Sequence, residues 1–354
     1  MKTKLTILFL FILCLIGSKA PLFGQEEHSN TAAAEHNSAD KPFDASTFIM
    51  EHIADAHEWH LWTKKNGESV AIFLPVILYS REKGLDVFSS KNLAHGKTFK
   101  GYKIEEGVVV NVNDEGHVAE TGAPLDFSIT KTVVGLLFSC IIGLFLFISM
   151  SRSYKKTGIS HPRGIQSFLE PIILFVRDDI AIANIGKHKY EKYMPYLLTV
   201  FFFILINNLM GLIPFPPPFG ANVTGNIAVT FVLALFTFFI TQFSGNKNYW
   251  RHIFATPGVP FWLLPVMVPV ELIGIISKPF ALMIRLFANI TAGHIIVLSL
   301  ICLIFIFKSL AVAPVSILFV IFMDCLELLV AFLQAYVFTL LSALFISLAV
   351  QEHH

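Results

Sequence analysis

Residues 261–307 read FWLLPVMVPVELIGIISKPFALMIRLFANITAGHIIVLSLICLIFIF. The run is apolar almost throughout, yet it carries Glu271, Ser277, Lys278, Arg285, Asn289, Thr291 and His294. A helix of this length would extend about 70 Å at a rise of 1.5 Å per residue. The hydrocarbon core of a bilayer is only about 30 Å thick. Either the segment bends or breaks, for which Pro265, Pro269 and Pro279 offer places, or it tilts strongly as one arm of a hairpin. The second arm would be residues 312–350, also overlong, with Asp324, Glu327 and Gln334 inside it. Cationic side chains deep in a membrane are costly and mark function, which singles out Arg285.

The rest of the chain supports a membrane reading. Of 354 residues, 55% are hydrophobic and 14% charged, whereas a soluble protein carries about 25% charged residues. Apolar stretches at 132–150, 196–213 and 226–243 add three spans, giving five. The fold expected is an all-α polytopic membrane protein with five membrane helices, the last two long and tilted. Between the first two spans lie Arg152, Lys155, Lys156, Arg163, Arg177, Lys187, Lys189 and Lys192, so this loop is expected in the cytoplasm. Within it, Ile165 to Val176 reads as an amphipathic helix along the membrane surface. PFPPPFGANVTG at 214–225 has no charge and belongs outside; Lys247 and Arg251 lie inside again.

The N-terminal third is different. MKTKLTILFLFILCLIGSKA has a basic start, an apolar core and small residues after it, as in a secretory signal peptide over residues 1–24. An uncleaved anchor is the alternative. Residues 25–128 form an exported region, polar at 26–40 and then β-rich in SVAIFLPVILYS, KTFKGYKI and GVVVNVN. His52, His57 and His60 fall within Glu51–His60 and allow a zinc site, but their spacing matches no sharp motif and favours a helical surface that carries histidines. The four cysteines lie in apolar runs without CxxC spacing and read as small buried residues. Net charge is +1, with no basic, aromatic-interleaved stretch, so no nucleic-acid partner is expected.

The spacing of the buried polar residues separates their roles. Arg285 and Asn289 are four apart and share a helix face, as do Glu327 and Gln334 at seven. His294 lies nine residues beyond Arg285, two and a half turns, on the opposite side of a straight helix. In an antiparallel hairpin, His294 and Glu327 lie toward the outside, Arg285 and Gln334 nearer the middle, and Glu271 toward the cytoplasm. Imidazole and carboxylate groups exchange protons with water; a guanidinium stays charged. A fixed cation between two titratable regions would block direct leakage and attract a carboxylate on a moving partner. A structural ion pair of Arg285 with Glu271 or Glu327 is the simpler alternative.

NNLMGLIPF at 207–215, TGNIAVT at 224–230, VELIGIISKPFALMIRLFANITAGH at 270–294 and LQAYVFTLLS at 333–342 closely resemble subunit a of the F-type ATP synthase, the stator subunit of the membrane Fo sector. The likeness covers roughly residues 130–350, within a membrane domain at 129–354. It implies that Arg285 faces the rotating c-ring, that Gln334 packs near it, and that Asn289 takes the position four beyond the arginine. It implies further that Glu271 belongs to a cytoplasmic half-channel and that an acid–histidine pair serves the outer one. Some members place the acid on the first long helix; here His294 stands there and Glu327 on the second. The resemblance implies a proton-translocating subunit of a bacterial inner membrane, with a periplasmic N-terminal region and a cytoplasmic C-terminus. Its partners would be the c-ring, a subunit b stator dimer, the remaining F1Fo complex and membrane lipid. No cofactor or metal is expected, and without a GxxxxGK[ST] loop nucleotide chemistry lies elsewhere. A sodium-coupled form, or a secondary transporter or proton channel, is the alternative.

Overall fold

The computed structural model describes residues 44–63, 69–80, 83–105, 107–113, 123–157, 164–213, 217–254, 260–307 and 312–351. The signal peptide expected over residues 1–24, the polar stretch at 26–40 and most of the turn expected at NDEG (113–116) lie outside the described residues.

Helix α1, Ala45–Ile53, begins at Asp44, whose carboxylate accepts the backbone N–H groups of Ser46 and Thr47. Strand β1, Glu58–Thr63, follows and pairs antiparallel with β2, Ser69–Phe73. This corrects the helical reading of Glu51–His60. Ala54 turns to extended backbone, and EWHL then alternates in period two up to a register shift between His60 and Trp62, which suits a strand that buries Trp59. His52 therefore sits on a helix, His57 in a bend and His60 on a strand. His57 is buried and pairs through Nε2 with Asp126 Oδ2 at 3.3 Å. Among the described residues no group of three His, Cys, Asp or Glu could hold a metal.

The β-rich pieces behave as their alternation predicts. Strands β3 (Pro75–Ser80), β4 (Gly84–Ser89) and β7 (Leu125–Asp126) form a sheet in the order β4-β3-β7. β5 (Tyr102–Glu105) and β6 (Val108–Asn111) form a hairpin. Val76, Leu78, Phe88, Leu93, Tyr102 and Val109 make a small core. At its edge Asp86 accepts hydrogen bonds from Lys100 Nζ at 2.6 Å and the Tyr102 hydroxyl at 3.1 Å. The Lys100 bond holds Asp86 below the usual carboxylate range, and burial pushes Tyr102 up to about 12.

The small domain is tied to the first span. Helix α2, Lys131–Thr157, has its Lys131 N–H on Ala56 O and its Thr132 N–H on Asp55 Oδ1, both at 3.0 Å. A carboxylate thus caps positive backbone groups at a helix start, where it stabilises. Helix α3, Ile165–Phe175, continues through a π-helical run, Val176–Ile182, and a last turn, Ala183–Ile185. Four more helices follow: α4 (Tyr190–Leu212), α5 (Ile227–Ser244), the short α6 (Lys247–Phe254) and α7 (Leu264–Phe307). Helix α8, Ala313–Val350, ends the fold.

Five of these helices are long and apolar enough to cross a membrane: α2, α4, α5, α7 and α8. Helix α7 runs unbroken through Pro269 and Pro279, which decides between a break and a continuous arm. Its 44 residues extend about 66 Å, so it fits a bilayer core of about 30 Å only when steeply tilted. α7 and α8 lie antiparallel, with Ser316 Oγ bonded to Leu300 O near one end and His294 against Glu327 farther in.

The bundle core is built on the inner half of α8. Ala331, Gln334, Ala335, Phe338, Thr339, Ser342, Ala343 and Ile346 are buried at three- and four-residue intervals. Small side chains at these positions let α4 and α5 approach closely. Hydroxyls tie three spans together: Tyr196 to Thr237 at 2.7 Å and Thr237 to Ser342 at 3.2 Å. The C-terminal carbonyls of α8 are satisfied by Asn246 and by Lys189 Nζ, both on Val350 O. By contrast, the outward faces of α7 and α8 expose Ile273, Ile276, Leu318 and Leu329. Cys302 is buried as its residue type predicts; Cys325 is exposed, because it lies on the face of α8 turned away from the bundle.

Candidate functional site

Three polar stations lie along α7. The outer one joins both long helices. His294 Nδ1 stands 3.6 Å from Glu327 Oε2, and both side chains are mostly buried. Glu327 Oε1 is buried without a hydrogen-bond partner. Gly293 makes the room: a Cβ there would lie 2.5 Å from Glu327 Oε1 and 2.9 Å from its Cδ. On the other side, His294 Nε2 would stand 3.7 Å from a Cβ at Gly211, on α4.

The wall around this pair is polar. Asn208 donates to Ala331 O at 3.1 Å and accepts from Thr224 at 2.7 Å, joining α4, the following loop and α8. The neighbouring Asn207 Oδ1 and Asn222 Nδ2 are buried and unpartnered. Buried polar atoms left without protein partners are the usual seats of ordered water. Asp324 lies one turn outward of Glu327 and is exposed. Gly293 and Asn208 lie in the stretches 270–294 and 207–215 that carry the resemblance, but their spacing alone does not mark them as members of this wall.

Substituting Gly293 by Ala separates activity from stability. The clashing atom is the tip of a flexible side chain, so Glu327 would swing away rather than the helix unfold. Alanine in a helix is itself favoured over glycine by about 1 kcal/mol. The expected result is an unchanged or slightly raised thermal midpoint, with any activity that depends on the His294–Glu327 pair lowered about ten- to a hundredfold through misplacement of the carboxylate. Activity assays and thermal melts on the same preparation check both.

Arg285 is the middle station. It lies on the exposed face of α7 with Ala288 and Asn289, and makes no hydrogen bond or ion pair with a described residue. No ion pair with Glu271 or Glu327 is therefore present among the described residues. Extending the hairpin register inward brings Gln334 to the level of Arg285. Gln334, however, is only 3% exposed and faces the bundle core; no hydrogen bond joins the two among the described residues.

The inner station is at the far end of α7. Glu271 is half-buried, and Lys278, two turns along the same face, sets its Nζ 5.8 Å over the Phe345 ring. Tyr249 on α6 exchanges a hydrogen bond with Gln242 at the end of α5, at 3.1 Å from the amide nitrogen. Neither residue stood out in the sequence, because Tyr249 belongs to a short interhelical segment and Gln242 to the end of a span.

Five long apolar helices, with ionisable side chains gathered on the last two, define a polytopic helical membrane protein. A family model described as ATP synthase A chain matches residues 133–347, and the chain belongs to that family. A second model, described as a domain of unknown function (DUF8433), matches residues 48–127, the stretch from α1 to β7. The chain is 49% identical to ATP synthase subunit a of Chloroherpeton thalassium over 236 residues, covering 65% of this chain and 69% of that one. It is 53% identical to ATP synthase subunit a 2 of Chlorobaculum tepidum over 234 residues, 64% of each chain. Against ATP synthase subunit a of Myxococcus xanthus it is 50% identical over 239 residues, 65% of this chain and 76% of that one. The aligned part thus spans about two thirds of these relatives.

Proposed function

We propose that this chain is the stator channel subunit of an F-type ATP synthase Fo sector, and that it passes protons between two half-channels and the carboxylates of a c-ring. The observation that carries this reading is the arrangement along α7. An imidazole–carboxylate pair, His294 with Glu327, stands on one side of the exposed, unpaired Arg285, and Glu271 on the other.

Along the helix axis His294 is about 13 Å from Arg285 and Glu271 about 21 Å, in opposite directions. Protons from the periplasm reach the outer pair, whose imidazole and carboxylate can carry a proton where their apolar neighbours cannot. From there a proton neutralises a c-ring carboxylate, which can then turn into lipid. After nearly a full turn that subunit meets Arg285 from the other side. The guanidinium favours the ionised carboxylate, and the proton leaves toward Glu271 and the cytoplasm. Asn289 shares the exposed face of Arg285, and Gln334 stands at the same level on α8, buried in the bundle core. The membrane potential contributes about 2.3 kcal/mol per charge per 100 mV. The excess of Lys and Arg between α2 and α4 supports a cytoplasmic loop there, an exported N-terminal domain and a bacterial inner-membrane location. The apolar outward faces of α7 and α8 fit the c-ring and lipid, and a subunit b dimer would complete the stator.

The test is ion movement by the assembled complex in vesicles. Adding ATP should acidify the interior, a protonophore should abolish the gradient, and omitting sodium should change nothing. Pumping that requires sodium and survives the protonophore would make the subunit sodium-coupled. Absence of any ATP-driven ion movement in a complex that hydrolyses ATP would sink the reading.

A further inference from the structure

The inner ends of α5, α6, α7 and α8 enclose a cavity of about 20 Å³, lined by Thr241, Gln242, Tyr249, Ile275, Lys278 and Phe345 among others. That volume is enough for one water molecule, which needs about 10–15 Å³ and two to four polar partners. Gln242, Tyr249 and Lys278 supply the polar partners. Glu271 stands one turn before Ile275 and two before Lys278, on the face of α7 that lines the cavity. Glu271 is not itself a lining residue, but its charge acts on the Tyr249 hydroxyl that lines the cavity.

The site is held by a built turn. Asn246 binds the last carbonyls of α8 through both its backbone N–H and its side chain, at 3.0 and 2.7 Å. Gly245 lets the chain fold back, since a Cβ there would lie 2.6 Å from Tyr249 Cδ1. The ring of Tyr249 is thereby pinned against the end of α5, with its hydroxyl on Gln242. Burial, opposed by the Gln242 bond and reinforced by the charge of Glu271, pushes that hydroxyl above its ordinary range. It stays neutral and able to donate. The other ionisable groups of α6, Lys247, Arg251 and His252, are exposed. The described end of α5 carries none, and Lys278 is the cation nearest along α7.

We propose that Tyr249 and Gln242 hold the water that takes the proton from Glu271, and so act as positioning residues for proton release to the cytoplasm. This rests on the assignment of Glu271 to the release path. The step is a simple transfer: the carboxylic acid gives its proton to water, leaving carboxylate and hydronium, and the hydronium passes its proton to bulk solvent. Tyr249 and Gln242 orient the accepting oxygen; Lys278 favours the carboxylate that remains.

The test uses the whole complex in inverted membrane vesicles, whose outer medium bathes the cytoplasmic face. ATP synthesis driven by an imposed potential is measured as the medium pH is varied. Tyr249→Phe keeps the ring and removes the hydroxyl; Gln242→Leu keeps the bulk and removes the amide. Each should move the acid-side midpoint of the rate upward by about half to one pH unit, the scale of one lost hydrogen bond. The double variant should match either single, since both act on one water. The pH response of hydrolysis by released F1 should be unchanged. A lower rate without a midpoint shift would mean a merely structural role and overturn the inference, as would profiles that overlay the parent's. Arg285→Ala in the same vesicles separates the two claims: if it retains coupled synthesis, the rotary assignment fails; if it abolishes synthesis while Tyr249→Phe is silent, only the release site fails.

Discussion

Inverted vesicles carrying Arg285→Ala should show no ATP-driven quenching of an acridine dye, while ATP hydrolysis by the same complex continues. Arg285 is the single Lys or Arg in the apolar run between Lys278 and Lys308, and a guanidinium is a cation that does not serve as a proton carrier. Its side chain is exposed and has no partner within the described fold, so removing it orphans no buried group and should leave assembly intact. On the proposed mechanism, what is lost is the positive charge that makes an approaching carboxylate give up its proton, and with it the barrier to protons crossing from the outer station to the inner one. An imposed potential should therefore also decay faster than in the parent vesicles. Arg285→Lys keeps a charge but loses the planar fork and its weak hydration, and should still lose most of the coupling. Normal dye quenching by the alanine variant would end the rotary assignment.

Glu327→Gln should lower proton flux by at least about tenfold, more than the loss of one exposed hydrogen bond would. The amide has nearly the same shape, so packing against Gly293 persists. What disappears is the carboxylate 3.6 Å from His294, the proton carrier of the proposed mechanism. Loss of flux with unchanged thermal stability is the expected signature. The reciprocal exchange, His294→Glu with Glu327→His, should recover flux beyond either single change, because the chemistry belongs to the pair rather than to its order on the two helices. A double-mutant cycle measures the recovery; additive losses would show that the two residues act independently.

Much of this architecture is legible in the sequence. Five apolar stretches, the excess of basic residues at 152–192 and the overlong final segments needed only hydropathy and a rise per residue. The strands at 69–80 showed in β-branched alternation. The histidines of Glu51–His60 were harder, because their spacing suits either a helix or a helix followed by a strand. The outcome turned on Trp59, which joins the bundle core, and on Asp126, which is 69 residues from the His57 it pairs with.

Periodicity assigns a residue to a face of its own helix, and that is how Arg285 and Asn289 came together and His294 came out on another side. It says nothing about how two helices are rotated against each other. Only packing turned Gln334 into the core while leaving Arg285 exposed. Only packing set Gly293 under the Glu327 carboxylate and closed Tyr249 and Gln242 over the inner end of α7. The sequence by itself determined the spans, their depth order and the ionisable groups, because burial in lipid is read from composition along the chain. The tertiary structure decided which of those groups meet, because a contact of a few ångströms depends on helix rotation and register, and these are set by side chains far apart in the chain.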